Sequence, residues 1–484
     1  MQLQFNKTVI PCLHTVKREL QTLEQTQEIR LTDDLPDIGK VIAGWGQPVI
    51  RSKEWRAGSA SVSGGVMVWV LYAPEDGDEV RCVETWLPFQ MKWEIPETKR
   101  DGSIHVIPCL RGVDARSLSA RKIMVRAGIC ALGEIMLPME TETLLPENLP
   151  EDVQVLQNTY PVQLPIEAGE KSFSMEETLS IPTTEPKAAK LIRYEIQPRV
   201  MENRVVGDKL VIRGAGDLTL VYMDEDHRLH KWKFELPFSQ YTELDGEYGA
   251  DAEAAIYMVV TALELELGEE GLQLKAGLTA QYVIWGRMTV ETVEDLYSPY
   301  RPVEISKTRL QLPARLNSWT ESVPTEWSAV PAGLRLVDAV FYPDPPQLRQ
   351  EPGGPVAELS GVFQMLGYHE NGEVECEFAR WSQERKLSVG ENVCMDVTVQ
   401  TTGDGLTLGV CAFSPEGIPM VTAVEMAQET MEDPDRPSLI LRRVGAEGLW
   451  ELAKETGSTV AAIRKANGLQ QEPEEGQMLL IPVS

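Results

Sequence analysis

One hairpin pattern, written three times at domain-sized intervals, constrains this chain more than any other feature. In the middle copy Leu218, Leu220 and Tyr222 alternate with other residues, Asp224-Glu225-Asp226-His227 supplies a polar turn, and Trp232, Phe234 and Leu236 alternate with Lys231, Lys233 and Glu235. Period-two alternation on both sides of a short polar turn predicts a β-hairpin with one buried face. The first copy runs from Gly64-Gly65-Val66 to Tyr72, turns at Asp76-Gly77 and returns through Trp86-Leu87-Pro88-Phe89. The third runs from Gly361-Val362-Phe363 to Tyr368, turns at Asn371-Gly372 and returns through Val374, Cys376 and Phe378. Asp-Gly and Asn-Gly favour the positive φ angles of a tight hairpin, so turn chemistry agrees with pattern.

A second signature precedes each hairpin: Pro36 with Lys40-Val41-Ile42, Pro186 with Lys190-Leu191-Ile192, and Pro331 with Arg335-Leu336-Val337. The hairpin tyrosine follows its proline by 36, 36 and 37 residues, and the tyrosines are spaced by 150 and 146. Ala127-Gly128 in the first copy is answered by Ala276-Gly277 in the second. A register kept over such distances marks whole domains rather than solenoid units. Gly64, Gly214 and Gly361 recur at matching places, where strands are expected to cross or bulge.

The predicted fold class is mainly β: three repeats, each a sandwich or barrel, followed by a small α+β module of βααβ order. The division is an N-terminal lead-in at 1–30, repeat one at 31–137, a linker at 138–173, repeat two at 174–299, a linker at 300–327, repeat three at 328–427, an acidic hinge at 428–437 and the last module at 438–484. Val16, Leu20, Leu23 and Ile29 give the lead-in a partly helical spacing. Pro138, Pro146, Pro150, Pro161 and Pro165 exclude long helices and central strands from the first linker, leaving one or two edge strands. Trp319 and Trp327 suggest that the second linker packs on a neighbour, and Glu425, Glu429, Glu432, Asp433 and Asp435 keep the hinge extended.

A formal charge of −29 over 484 residues argues against nucleic acid or an anionic membrane as partner, since both require a positive footprint. The first residues lack the apolar run of a signal peptide, and no stretch approaches the roughly 20 apolar residues of a membrane span. The expected location is therefore the cytoplasm, without membrane insertion. Seven scattered cysteines with no Cys-x-x-Cys pair read as reduced thiols.

Motifs for chemistry are missing. The chain has no phosphate loop, no Gly-x-Ser-x-Gly and no His-Glu-x-x-His. His227 and His230 sit at a hairpin turn beside Asp224 and Asp226, a poor spacing for metal on a strand, and His369 occupies the equivalent turn without a second histidine. No catalytic, cofactor-binding or metal residue is assigned, and the chain is read as a non-enzyme.

The most specific signal is C-terminal. Ser438 to Leu441 reads as a strand, Leu449-Trp450-Glu451-Leu452-Ala453 to Gly457 as a helix ending on glycine, Val460 to Ala466 as a second helix capped by Ser458 or Thr459, and Met478 to Pro482 as a closing strand. Val460, Ile463 and Ala466 form the expected buried face of the second helix. This arrangement closely resembles a LysM domain. The resemblance implies a shallow groove between the loop before the first helix and the loop after the second. It gives as partner-binding positions Gly445, Glu447, Gly448, Leu449, Trp450, Asn467, Gly468, Leu469, Ile481 and Pro482. Glycan-binding LysM domains commonly carry Gly-Asp-Thr before Leu-Trp; here Val444-Gly445-Ala446-Glu447-Gly448 stands instead, which favours a protein partner over N-acetylglucosamine.

The hairpin and the Pro-x-x-x-Lys-Val-Ile lead-in resemble the SPOCS repeat of endospore-forming Firmicutes. Three SPOCS repeats and a terminal LysM are similar to the spore-coat morphogenetic family that interacts with SpoIVA. That resemblance implies a non-enzymatic scaffold in the mother cell, docked through its LysM on the SpoIVA-type ATPase at the forespore surface, with other coat proteins as further partners and no cofactor. The alternative is a cortex protein whose LysM binds the N-acetylglucosamine polymer of peptidoglycan.

Overall fold

The computed structural model describes residues 4–56, 58–77, 79–96, 102–325, 331–388, 393–402, 405–413, 417–427, 437–445 and 448–483. The chain is overwhelmingly β, with two short helices near its end. Six strands come first: β1 (Gln4–Arg30), β2 (Ile38–Arg56), β3 (Ser59–Pro74), β4 (Arg81–Glu94), β5 (Ser103–Ser119) and β6 (Lys122–Glu147). They pair as two antiparallel sheets, β2-β3-β4 and β1-β6-β5. The inward residues of both, among them Val66, Val68, Phe89, Trp93, Val106, Val125 and Ile129, form one core.

The same order recurs in β7 (Gln154–Leu179), β8 (Lys190–Met223), β9 (Leu229–Tyr248), β10 (Glu253–Gly268) and β11 (Gly271–Tyr297), paired as β8-β9 and β10-β11-β7. The long β8 doubles back on itself about Gly207, whose φ is +61°, bringing Arg199 to Asp217 at 2.8 Å and Glu202 to Arg213 at 3.5 Å. It thus does the work of β2 and β3 together. The third set is β12 (Val303–Leu310), β13 (Arg315–Pro324), β14 (Arg335–Pro343), β15 (Gln347–Glu351), β16 (Gly354–Tyr368), β17 (Val374–Lys386), β18 (Cys394–Thr402), β19 (Gly405–Phe413) and β20 (Ile418–Met426). Here β16 pairs with β14, β15 and β17, and β13-β19-β18 forms the facing sheet; the outermost strands are broken, so β12-β20 is a separate ribbon.

Gly64, Gly214 and Gly361 lie where the two halves of each lead-in hairpin press together. A Cβ would stand 2.1 Å from the Val49 carbonyl, 2.2 Å from that of Arg199 and 2.5 Å from that of Tyr342. No side chain fits at such separations, so close approach is what requires glycine there. The proline-to-tyrosine spacing also has a physical cause. The Tyr72 hydroxyl donates to the Pro36 carbonyl at 3.2 Å and that of Tyr222 to the Pro186 carbonyl at 3.0 Å. In the third set Tyr368 instead accepts from the Leu229 amide at 2.6 Å, reaching into the second set.

The three sets close on one another in a ring. The hairpin residue just past the tyrosine's cross-strand partner is Cys82, Lys231 or Glu375. Cys82 donates to the Ile192 carbonyl at 2.9 Å, Lys231 lies 2.6 Å from Asp338, and Glu375 lies 2.9 Å from Lys40. Each hairpin therefore touches the lead-in strand of the next set, and the third returns to the first. Head-to-tail contacts that close after three steps give a pseudo-threefold assembly within one chain. Near its centre Arg193 is 1% exposed, stacks on Trp45 at 5.6 Å and binds the fully buried Asp338 carboxylate, while Gln364 donates to the Gly44 carbonyl at 3.0 Å. Burial alone would raise the Asp338 carboxyl, but Arg193 and Lys231 hold it below the ordinary carboxylate range.

At the other end the first and last strands of each set run on as two-stranded ribbons. Ile10 and Cys12 from the first, Leu164 and Val290 from the second, and Leu310 and Met420 from the third share one apolar cluster. A second cluster joins Phe5 and Leu145, Val293 and Leu296, and Val421 and Val424. The result is a three-sided stem.

Several expectations change. Residues 4–30, predicted partly helical, are strand β1. Inward positions 21, 25 and 27 hold glutamine rather than an apolar residue, and a bulge at Thr15/Lys17 shifts the register, so period two was obscured. The expected linkers are strands as well: β7 covers 154–179 as the edge of its sheet, where prolines cost no ladder hydrogen bond, and β12 and β13 cover most of 303–324. Trp319 packs against the core of the third set; Glu425, read as part of the hinge, is in strand β20 opposite Glu304, and Trp327, Glu429, Glu432, Asp433 and Asp435 lie outside the described residues. His369, expected to stand alone, lies 3.1 Å from Glu375. Among the described residues no helix is long and apolar enough to cross a membrane.

Candidate partner-binding module

The chain ends in β21 (Leu439–Arg443), α1 (Gly448–Thr456), α2 (Val460–Asn467) and β22 (Met478–Pro482), with β21 and β22 antiparallel. In α1, Leu449, Leu452, Ala453 and Thr456 recur at helical spacing and are buried. Thr459 rather than Ser458 caps α2, accepting from the Ala462 amide at 3.1 Å, and Gly468 closes it with φ +64°. Ser458 instead donates to the Pro482 carbonyl. Ile463 is buried as expected; Ala466 is exposed, because α2 turns only a narrow stripe inward.

This module sits on the stem. The Trp450 indole N–H donates to Asp295 of β11 at 2.8 Å, and Lys454 binds the same carboxylate at 2.7 and 2.9 Å. Lys307 of β12 reaches it at 3.1 Å. Tyr297 meets Trp450 edge-on, with ring centroids 5.0 Å apart, and donates to the Ser458 carbonyl at 3.0 Å. Asp295 is 2% exposed. Burial would raise its carboxyl, but hydrogen bonds from Lys454, Trp450 and Lys307 outweigh that and hold it below the usual range. Burial, with Asp295 adding to it, pushes the Tyr297 phenol up to about 12.

The ten positions proposed from sequence separate accordingly. Leu449 and Ile481 are core, at 2% and 0% exposure. Trp450 is occupied by the stem. The Asn467 amide donates to the Ile463 and Leu480 carbonyls, at 2.8 and 2.6 Å, and accepts from the Leu480 amide at 2.8 Å, so it staples α2 to β22. Leu469 packs at the core's margin, and Gly445, Gly448 and Pro482 are half-buried, leaving Gly468 exposed. Glu447 lies outside the described residues.

What the sequence reading missed is the outer face of the small sheet. Cross-strand pairs Leu439 with Pro482, Leu441 with Leu480, and Arg443 with Met478 point away from the helices. Leu439, Leu441 and Met478 are 51%, 64% and 47% exposed. The signal was present: consecutive apolar residues on a strand put leucine on both faces, and two helices cover only one.

Residues 187–267 match the family described as SipL, SPOCS domain. This segment is similar to the SPOCS domain of the SipL family. It begins just after Pro186 and carries the doubled-back β8, the middle hairpin, β9 and nearly all of β10. Comparison with curated proteins and with solved structures finds no significant match. Within the SPOCS segment lie Gly214 at the strand crossing, Tyr222 on its proline carbonyl, and Arg193 at the ring centre.

Proposed function

We propose that the chain is a SipL-like, non-enzymatic scaffold of endospore coat assembly. Its three β sets are SPOCS repeats; its C-terminal βααβ unit is a LysM module that docks on a SpoIVA-type coat ATPase at the forespore surface. The sporulation-coat reading rests on the SPOCS segment. The docking reading rests on one observation, the exposed row of Leu439, Leu441 and Met478 on the sheet face turned away from the module's own helices. Exposed apolar area of this kind suits a protein surface better than a hydrated glycan. The repeats and stem form the rigid body that presents it.

The test is binding of the full chain to the purified ATPase and, in parallel, to N-acetylglucosamine oligomers, with wild type and Leu441→Glu. Leu441 is mostly exposed, so the substitution leaves the fold intact. Saturable binding to the ATPase that Leu441→Glu weakens at least tenfold supports the scaffold. Binding to glycan alone would move the protein to the cortex.

A further inference from the structure

Cys109 of β5 and Cys130 of β6 are direct cross-strand partners in the outer sheet of the first set. Opposed residues of an antiparallel pair lie roughly 4.5–5.5 Å apart between Cα atoms with side chains on one face, inside the window a disulfide accepts. Both cysteines are free. The pair belongs to the first set alone. The corresponding opposed residues are Val259 with Thr279 in the second and Asp396 with Cys411 in the third. It also lies at a seam: the Cys109 thiol is 3.6 Å from the Pro343 carbonyl, and neighbouring Arg111 is 3.0 Å from Asp344.

We infer that Cys109 and Cys130 are a redox pair that closes to a cross-strand disulfide when the protein meets a hydroperoxide. Cys130 is 1% exposed and Cys109 half-buried, so a small oxidant suits the site better than a bulky disulfide. Interaction with Cys109 lowers the Cys130 pKa, which favours Cys130 as the attacking thiolate. Its sulfur attacks the peroxide O–O bond, giving Cys130 sulfenic acid and releasing hydroxide, which takes up the proton given up by Cys130 to form water. The Cys109 sulfur then displaces the sulfenic oxygen, forming the S–S bond and releasing a second water. Two thiols are oxidised and one peroxide is reduced to two waters. Reduction by a dithiol reverses the change. Closure also removes the Cys109 donor from the Pro343 carbonyl, so it is felt at the seam between the first and third sets.

The experiment treats the reduced full chain with dilute hydrogen peroxide, blocks remaining thiols with iodoacetamide, and maps peptides by mass spectrometry without reduction. The expected result is a linked pair of peptides carrying Cys109 and Cys130, lost after dithiothreitol. Exposed Cys394 is an internal control for non-specific oxidation. In Cys109→Ser, Cys130 is expected to advance to the sulfinic acid, since no resolving thiol remains. If Cys394 oxidises while the Cys109 and Cys130 peptides stay unlinked in the wild type, the inference is wrong. Sulfinic acid at Cys130 in the wild type, without the link, overturns it equally.

Discussion

Two buried carboxylates, each held by two cations, join parts of this molecule in opposite ways. Asp338 has 0% side-chain exposure and meets Arg193, at 1%, where all three β sets converge. Asp295 is as deeply buried, but its cations Lys454 and Lys307 are 34% and 49% exposed, and beyond it the module rests on the stem chiefly through Tyr297. At the first joint the guanidinium and the carboxylate are both sealed from water and only Lys231 is partly exposed, whereas at the second both cations reach it. The ring is therefore part of the fold, whereas the C-terminal module is a seated, separable part.

The largest expected effect follows from the ring joint. Asp338→Ala leaves the Arg193 guanidinium buried without its main partner, and such losses cost about 3–5 kcal/mol. Thermal unfolding of the full chain should shift down as one transition. The double variant Arg193→Met with Asp338→Leu should recover most of that loss, because an apolar pair removes both desolvation costs. If Asp338→Ala melts like wild type, the distinction between the two joints fails.

At the stem, Asp295→Ala should cost only about 1–2 kcal/mol, since water satisfies Lys454, Lys307 and the Trp450 N–H once the carboxylate is gone. The main transition should barely move. Hydrogen exchange across 448–456 should rise, and protease should release the module. An equally large drop in the main transition would show that the module is integral to the body.

Acid sharpens the contrast. Both carboxyls have folded pKa values below their unfolded ones, so each stabilises the protein fully above the ordinary carboxylate range and loses that contribution as pH falls through its folded value. The stem joint should release first, because protonated Asp295 leaves cations that water can reach. Small-angle scattering between about pH 5 and pH 2 should show extension before loss of β signal. Added salt should widen that interval, since only the exposed lysines are screened.

Much of this was legible in the sequence, and what was hidden had physical causes. The hairpins, their turns and the crossing glycines were readable because each follows from a local rule repeated three times. The outer strands were not: β1 turns glutamines inward and resembled a partly helical lead-in, while β7 carries prolines and β12 is flanked by Pro302 and Pro313, so both resembled linkers until long-range pairing made strands of them. The pairings of Arg193 with Asp338 and of Lys454 with Asp295 carry no local signature, since the partners lie 145 and 159 residues apart. For the module, helix spacing placed Ile463 on the buried face of α2, but nothing local told that Trp450 would face its own stem. The outer leucines were visible in the sequence, but reading 438–441 as a strand did not by itself say which of its faces the helices leave open.

The smallest expected effects test the ring at one hydroxyl. Tyr222→Phe loses a bond to Pro186 inside one β set, and Tyr368→Phe loses a bond to the Leu229 amide across two. Each should cost about 0.5–1.5 kcal/mol, so unfolding alone does not separate them. Amide exchange does. Tyr368→Phe strips Leu229 of its acceptor at the corner where the third set meets the second, so exchange at Leu229 should accelerate there and remain unchanged in Tyr222→Phe. Unchanged protection of Leu229 in Tyr368→Phe would mean that the corner is held by packing and by Asp338 with Lys231, leaving the hydroxyl a bystander and the buried carboxylate the element that closes the ring.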